Sequence, residues 1–195
     1  MRSAPRRRLD PQIRRQELIE TAERLLKAGG PDVRVEDVVR EAGAAKGTFY
    51  LYFPTWDDLL EVLRERVVTA FDEAHPVPDA GDPGADWLRL FDRLAVAFVD
   101  AVMAMGGLHA ALFHSDFAHR RPVTPADHPV NRLTAVIQAA QKAGAFAKVD
   151  PAATGRLLFA VIHETADAVA AGEDRKQALA AMRWVLRRTL ARELA

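Results

Sequence analysis

Apolar positions along this chain recur at three- and four-residue intervals, and the alternation of a half-buried strand is nearly absent. Ala, Leu, Arg and Glu fill the intervals, residues that helices accept readily. The spacing predicts a first helix over about 11–28. Ile13, Leu18, Ala22, Leu25 and Leu26 form its buried side, and "AGGPD" ends it. A short helix over 35–42, a turn at Gly43 and a third helix over 45–52 follow. Pro54 stops the third helix. Thr55 then opens a fourth as its cap, with Asp57 and Asp58 in the first turn, and this helix runs to about residue 73. "HPVPDAGDPG" (75–84) reads as a loop and marks a boundary between two regions.

Beyond that loop, a helix over 85–105 is apolar on most faces, as a centrally buried helix is. "MGGLHAALFHSDFAHRRPVTPADHP" reads as one irregular helix and a loop. Three helices complete the chain, over about 130–143, 151–171 and 175–192. Gly144 and Gly172 act as stops, and Asp150 (before Pro151) and Asp174 act as caps. The pattern gives an all-α fold. An N-terminal three-helix head is joined by a long helix to a C-terminal helical bundle, with regions 12–72 and 73–195.

Composition narrows the chemistry. None of the 195 residues is cysteine, which excludes disulfide frameworks, Cys-based zinc sites and thiol catalysis. The start "MRSAPRRRLDPQIRRQE" lacks the apolar stretch of a secretory signal, and apolar runs such as "LAVAFV" end early, here at Asp100. The expectation is a cytoplasmic protein with no membrane partner. Formal net charge is zero, but six of the first 15 residues are arginine against the single acid Asp10. A basic end on a neutral protein suggests an anionic partner at that end, although a solvated tail has the same composition.

The second and third helices have the form of a helix-turn-helix. Val38, Ala42 and Phe49 point inward across the Gly43 turn. Burial of Phe49 leaves Lys46, Gly47, Thr48, Tyr50, Leu51 and Tyr52 on or beside the outer face. A cation, two kinds of hydroxyl and a side-chain-free backbone suit the phosphates and base edges of DNA.

"VEDVVREAGAAKGTFYLYFPTWDDLLEVL", with "IRRQELIETAERLLKAGG" upstream, resembles the N-terminal DNA-binding segment of the TetR family of bacterial transcriptional regulators. The resemblance covers roughly residues 12–72. It implies a homodimeric regulator, usually a repressor, on a palindromic operator of double-stranded DNA. A small-molecule effector in the C-terminal domain changes the separation of the two heads. It also places Arg34, Ala45, Thr55 and Trp56 beside the DNA. Three of these depart from the family pattern: Arg34 stands where Thr or Ser is frequent, Ala45 where Ser is frequent, and Trp56 where Lys is very frequent.

For the effector, the aromatic and Met-rich segments offer Phe91, Phe98, Met103, Met105, Leu112, Phe113 and Phe117, with His163 as a polar neighbour, and imply an apolar or aromatic ligand. The same helices also serve as plain core. For the dimer, the last two helices offer Leu158, Ile162 and Val169 on one stripe and Met182 and Leu186 on the other, unless both stripes serve only the monomer core. His163 and Asp167 stand four apart, and His109, His114 and His119 gather in one segment. Histidines and carboxylates at such spacing can hold zinc, but no HExxH-type motif completes a set. Ser115 lacks the glycines of a nucleophile elbow. The reading is therefore a non-enzymatic regulator with no cofactor. The alternative is a helical-bundle small-molecule or metal-binding protein whose DNA-binding head is degenerate.

Overall fold

The computed structural model describes residues 10–78, 85–123 and 129–191. Within them the chain forms ten α-helices, one 3-10 turn (Gly30–Asp32) and no strand beyond an isolated bridge between Phe146 and Ala191. In chain order the helices are α1 (Pro11–Gly29), α2 (Val35–Glu41), α3 (Lys46–Tyr52), α4 (Trp56–Ala74), α5 (Trp87–Met105), α6 (Gly107–Phe113), α7 (Asp116–Arg120), α8 (Pro129–Lys142), α9 (Pro151–Ala170) and α10 (Arg175–Leu190). They form two compact units. The first takes the chain through Val67 together with Gly106–Arg121; the second takes Val68–Met105 and the chain from Pro122 onward. The division falls inside the continuous helix α4.

The first unit closes on a core from five helices: Leu18, Ile19, Ala22 and Leu26 of α1, Val38 of α2, Phe49 of α3, Leu59 and Leu63 of α4, and Leu108 and Leu112 of α6, all nearly or fully buried. Asp10 starts α1 by accepting the Gln12 backbone N–H at 2.8 Å. Gly43 turns the chain between α2 and α3 at φ 60°, a conformation that L side chains rarely adopt. The end of α1 meets the start of α6 backbone to backbone. A methyl group on Gly107 would lie 2.6 Å from Gly30 N and 2.8 Å from the Leu26 carbonyl oxygen. Two distant glycine pairs, "GG" at 29–30 and "GG" at 106–107, therefore bring residues 106–121 into this unit. The expected single irregular helix over this stretch is two helices, because the chain breaks at His114–Ser115. Ser115 Oγ donates to the Ala111 carbonyl at 2.6 Å and accepts the Phe117 N–H at 3.2 Å, which ends one helix and caps the next.

The second unit is built from α5, α8, α9 and α10 around one apolar core, with Phe91, Leu94, Val99, Ile137, Leu158, Ile162, Met182 and Leu186 in its interior. Asp150 and Asp174 cap α9 and α10, at 2.6 and 2.8 Å from the Ala153 and Gln177 N–H groups. Gln141 holds the α8–α9 connection by donating to the carbonyls of Ala147 and Val149, each at 2.8 Å. The residues expected at a dimer interface fall inside this core. Leu158, Ile162, Val169, Met182 and Leu186 are all at most 5% exposed within one protomer. Their stripes meet α5 and α8, because α5 is apolar on several faces and needs partners on each. The large apolar side chains that α9 and α10 leave outside are Leu157 and Trp184, 70% and 63% exposed.

Candidate nucleic-acid interface

Helix α3 is anchored by one side chain. Phe49 is fully buried and packs edge-on against Tyr50 (5.4 Å between ring centroids), tilted on Phe53 (5.5 Å) and stacked on Trp56 (6.1 Å). This anchor turns Lys46, Gly47, Tyr50 and Leu51 to the surface, with Thr48 and Tyr52 half-buried beside them. Leu51 is 82% exposed, the most exposed of the large apolar side chains among the described residues. A methyl group on Gly47 would meet nothing within 4 Å, so its outer side is open.

Electrostatics add a feature that periodicity did not reveal. Lys46 forms an ion pair with Glu36 of α2, and both side chains are more than half exposed. The hydrogen bond from Lys46 holds the Glu36 carboxyl below its ordinary range, and the carboxylate in turn raises the Lys46 ammonium. Arg34 is the exposed residue before α2. Its backbone N–H, 3.0 Å from Asp37, is the main reason that carboxyl lies low, followed by Arg40. Ala45 supplies no side-chain cap to α3.

Two expected contacts are occupied by the head itself. Thr55 Oγ1 accepts the Asp58 N–H at 3.2 Å while its own N–H donates to Asp58 at 2.8 Å, so the threonine caps α4. Trp56 stacks on Phe49 and is half-buried, which makes its ring part of the head's packing. Of the six N-terminal arginines, Arg2, Arg6, Arg7 and Arg8 lie outside the described residues. Arg14 and Arg15 have structural partners: Arg14 donates to the Ala42 carbonyl at 3.3 Å and to Glu17 at 2.6 Å, and Arg15 lies over the Phe53 ring at 5.1 Å.

Sequence reasoning missed Arg64, although a signal was present. Arg64 follows the buried Leu63 and stands four residues after the buried Leu60, on the inward side of α4. It is 5% exposed. Its guanidinium grips Glu61 through two contacts of 2.6 and 2.7 Å, donates to the Arg121 carbonyl, and lies 4.9 Å from the Phe117 ring centre. Beside it, Arg120 binds Asp57 through Nε and Nη2, both at 2.8 Å, and Arg121 binds Asp58 at 2.7 Å. These arginines hold the Asp57 and Asp58 carboxyls below their ordinary range. The end of α7 is thus strapped to the first two turns of α4.

The expected effector residues are divided between the two units. Phe91 is 1% exposed and meets Phe146 edge-on, as core. Met103 is 44% exposed and faces solvent, and Met105 is a partly buried margin of the core. Leu112 and Phe117 are core of the first unit, and Phe113 packs against the His109 ring at 5.3 Å. Phe98 alone of that set lines a cavity of the second unit, about 30 Å³, with Phe71, Leu94, Arg132, Phe159 and Ile162 among its walls. His163 stands beside it, 6.0 Å from the Phe98 ring and 5.6 Å from Phe159, with Nδ1 3.1 Å from Asp167. His109 and His114 lie 4.8 Å apart between ring centres, while His119 Nδ1 sits 3.1 Å from the Ser115 carbonyl of its own helix region.

Comparison with known proteins locates this head. Residues 18–63 match the family model for bacterial regulatory proteins of the tetR family. No curated protein matches the chain by sequence. Among solved structures, the chain is similar to a TetR-family transcriptional regulator from Pectobacterium atrosepticum, at 24% identity, covering 96% of this chain and 99% of that one with a TM-score of 0.70. A TetR transcription regulator from Haloarcula marismortui shares 19% identity over 92% of this chain and 99% of its own, with a TM-score of 0.69. A protein solved for the molecular basis of control of antibiotic production by bacterial hormones shares 22% identity over 91% and 97%, with a TM-score of 0.68. At these identities the solved structures establish the fold, all-α with a helix-turn-helix head and a helical bundle. Among the described residues no single helix is long and apolar enough to cross a membrane.

Proposed function

We propose that this chain, a member of the tetR family of bacterial regulatory proteins by its residues 18–63 and by its fold, is a ligand-responsive transcriptional repressor. The observation that carries the reading is the coincidence of the family match with α3, where one buried phenylalanine presents Lys46, Tyr50 and Leu51 outward. Lys46 and the Tyr50 hydroxyl contact phosphates, Gly47 lets the backbone approach the duplex, and Thr48, Leu51 and Tyr52 lie against base edges and sugars. Arg34 adds a cation at the start of α2. Two copies on a palindromic operator place their α3 helices in successive major grooves. The outer faces of α9 and α10, with Leu157, Val161, Ala181 and Trp184, meet the same faces of the partner in a four-helix arrangement. A small, largely apolar effector bound in the second unit weakens DNA binding, and the protein works in the cytoplasm.

The test is selection of binding sites from a random DNA pool, followed by titration at several salt concentrations. The reading expects an enriched inverted repeat. It also expects Lys46→Ala to weaken binding and lower the salt slope by about one unit. Enrichment of no sequence would sink it.

A further inference from the structure

The 30 Å³ cavity lies wholly within the second unit, and every wall residue except Arg132 is apolar. The Arg132 side chain is only 18% exposed and its guanidinium lies over the Phe71 ring, 5.7 Å from the centroid. Nη1 donates to Asp72. Nε and Nη2 are both buried from solvent and have no hydrogen-bond partner. A buried ionised donor left without an acceptor is among the costliest arrangements in a protein interior. The unmatched pair also has a definite shape. Nε–H and Nη2–H form one planar edge of the guanidinium, spaced to take both oxygens of a carboxylate. This chain uses that same edge elsewhere: Arg120 presents Nε and Nη2 to the two oxygens of Asp57, both at 2.8 Å.

We propose that the cavity is a binding site for a small amphipathic carboxylate. Its two oxygens take the Nε and Nη2 edge of Arg132, and its apolar body lies among Phe71, Leu94, Phe98, Phe159 and Ile162. This deepens the effector reading above and rests on it for the link to DNA. At 30 Å³ the space holds little more than a water or two, so the ligand enters as its walls repack. Phe98 and Phe159, edge-on to each other at 5.6 Å and only partly buried, form the wall that has to repack. Chemistry favours a carboxylate over a neutral ligand because only an anion neutralises the second edge of a cation whose first contact, Asp72, is 54% exposed.

The full chain is titrated calorimetrically with two matched pairs, phenylacetate against phenylacetamide and octanoate against octanamide. At least one acid is expected to bind about tenfold or more tightly than its amide, the advantage of a charge-assisted bidentate contact. Arg132→Gln brings the ratio near one, and Arg132→Lys, which keeps the charge without the fork, loses most of it. Asp72→Asn leaves the guanidinium in place and keeps the preference, which separates loss of the site from loss of the fold. Equal affinity for acids and amides, an acid preference that survives Arg132→Gln, or no acid binding at millimolar concentration overturns the proposal. The same acids are added to the complex with selected DNA. Binding without DNA release leaves the carboxylate site standing and removes the effector role. DNA release by the amides alone, independent of Arg132, does the reverse.

Discussion

Glu36 and Lys46 meet at the surface of the helix-turn-helix, so a phosphate at Lys46 has a carboxylate to displace. Glu36→Gln removes that competitor, and filter binding at fixed salt is expected to show tighter association with selected DNA. If affinity is unchanged or lower, Lys46 does not meet phosphate. Trp56 is a different case. Its ring stacks on Phe49, so its first role is to fix the anchor that orients α3. Trp56→Lys is expected to destabilise the head by about 1 kcal/mol from the lost aromatic pair, read by urea unfolding. A salt slope for DNA that steepens by about one unit in the same variant would show that position 56 also lies within reach of the backbone. The sequence made Phe49, Lys46 and Tyr50 legible because a buried aromatic in a short helix fixes which side faces out. It hid the Glu36–Lys46 pair, because ten residues of separation across a turn carry no periodic signal.

At the scale of elements, α6 and α7 depend on contacts that periodicity does not encode. Gly107→Ala would drive a methyl group into Gly30 and the Leu26 carbonyl, all backbone atoms that cannot rotate away. A loss of about 1–3 kcal/mol is expected in chemical denaturation. Gly47→Ala, at an open position, is the control, expected to leave stability within about 1 kcal/mol of wild type. The strap between α7 and α4 has a pH signature. Asp57 and Asp58 titrate below their unfolded values because Arg120 and Arg121 bind their charged forms. Their contribution is therefore complete above the unfolded carboxylate pKa of about 3.9 and is lost as pH falls through it towards the folded values. Melting temperature followed by circular dichroism is expected to stay level from neutral pH down to about 5 and to fall below about 4. The Asp57→Asn, Asp58→Asn double variant should start lower and fall less. The caps at Thr55, Asp150 and Asp174 were readable because a cap is local in sequence. The break at Ser115 was not, since Ser115 bonds both the helix behind it and the helix ahead.

For the whole molecule, the proposed assembly draws on the faces that the protomer leaves uncovered. Leu157 and Trp184 are large, apolar and exposed, and Arg188 lies over the Trp184 ring at 5.9 Å. Trp184→Glu is expected to shift the species seen by sedimentation from dimer to monomer with an unchanged helical spectrum. An unaltered dimer would move the interface elsewhere. The stripes of Leu158, Ile162, Met182 and Leu186 looked equally suitable in one dimension. Three dimensions assigned them to the core, because α9 touches α5, α8 and α10 and has only one side left over.

By itself the sequence determined the helical class, the run of helices with most of their ends, the recognition helix and its outward residues. Each of these follows from neighbours within a few turns: periodicity, caps, and the glycine and proline stops. Only the tertiary structure decided that residues 106–121 join the head, that Arg64 is buried there, and that Leu112 and Phe117 serve its core. It alone left one edge of Arg132 without an acceptor in an apolar cavity. Those facts depend on which distant backbones approach and which polar groups find partners, and neither is written in the spacing of residues along one helix.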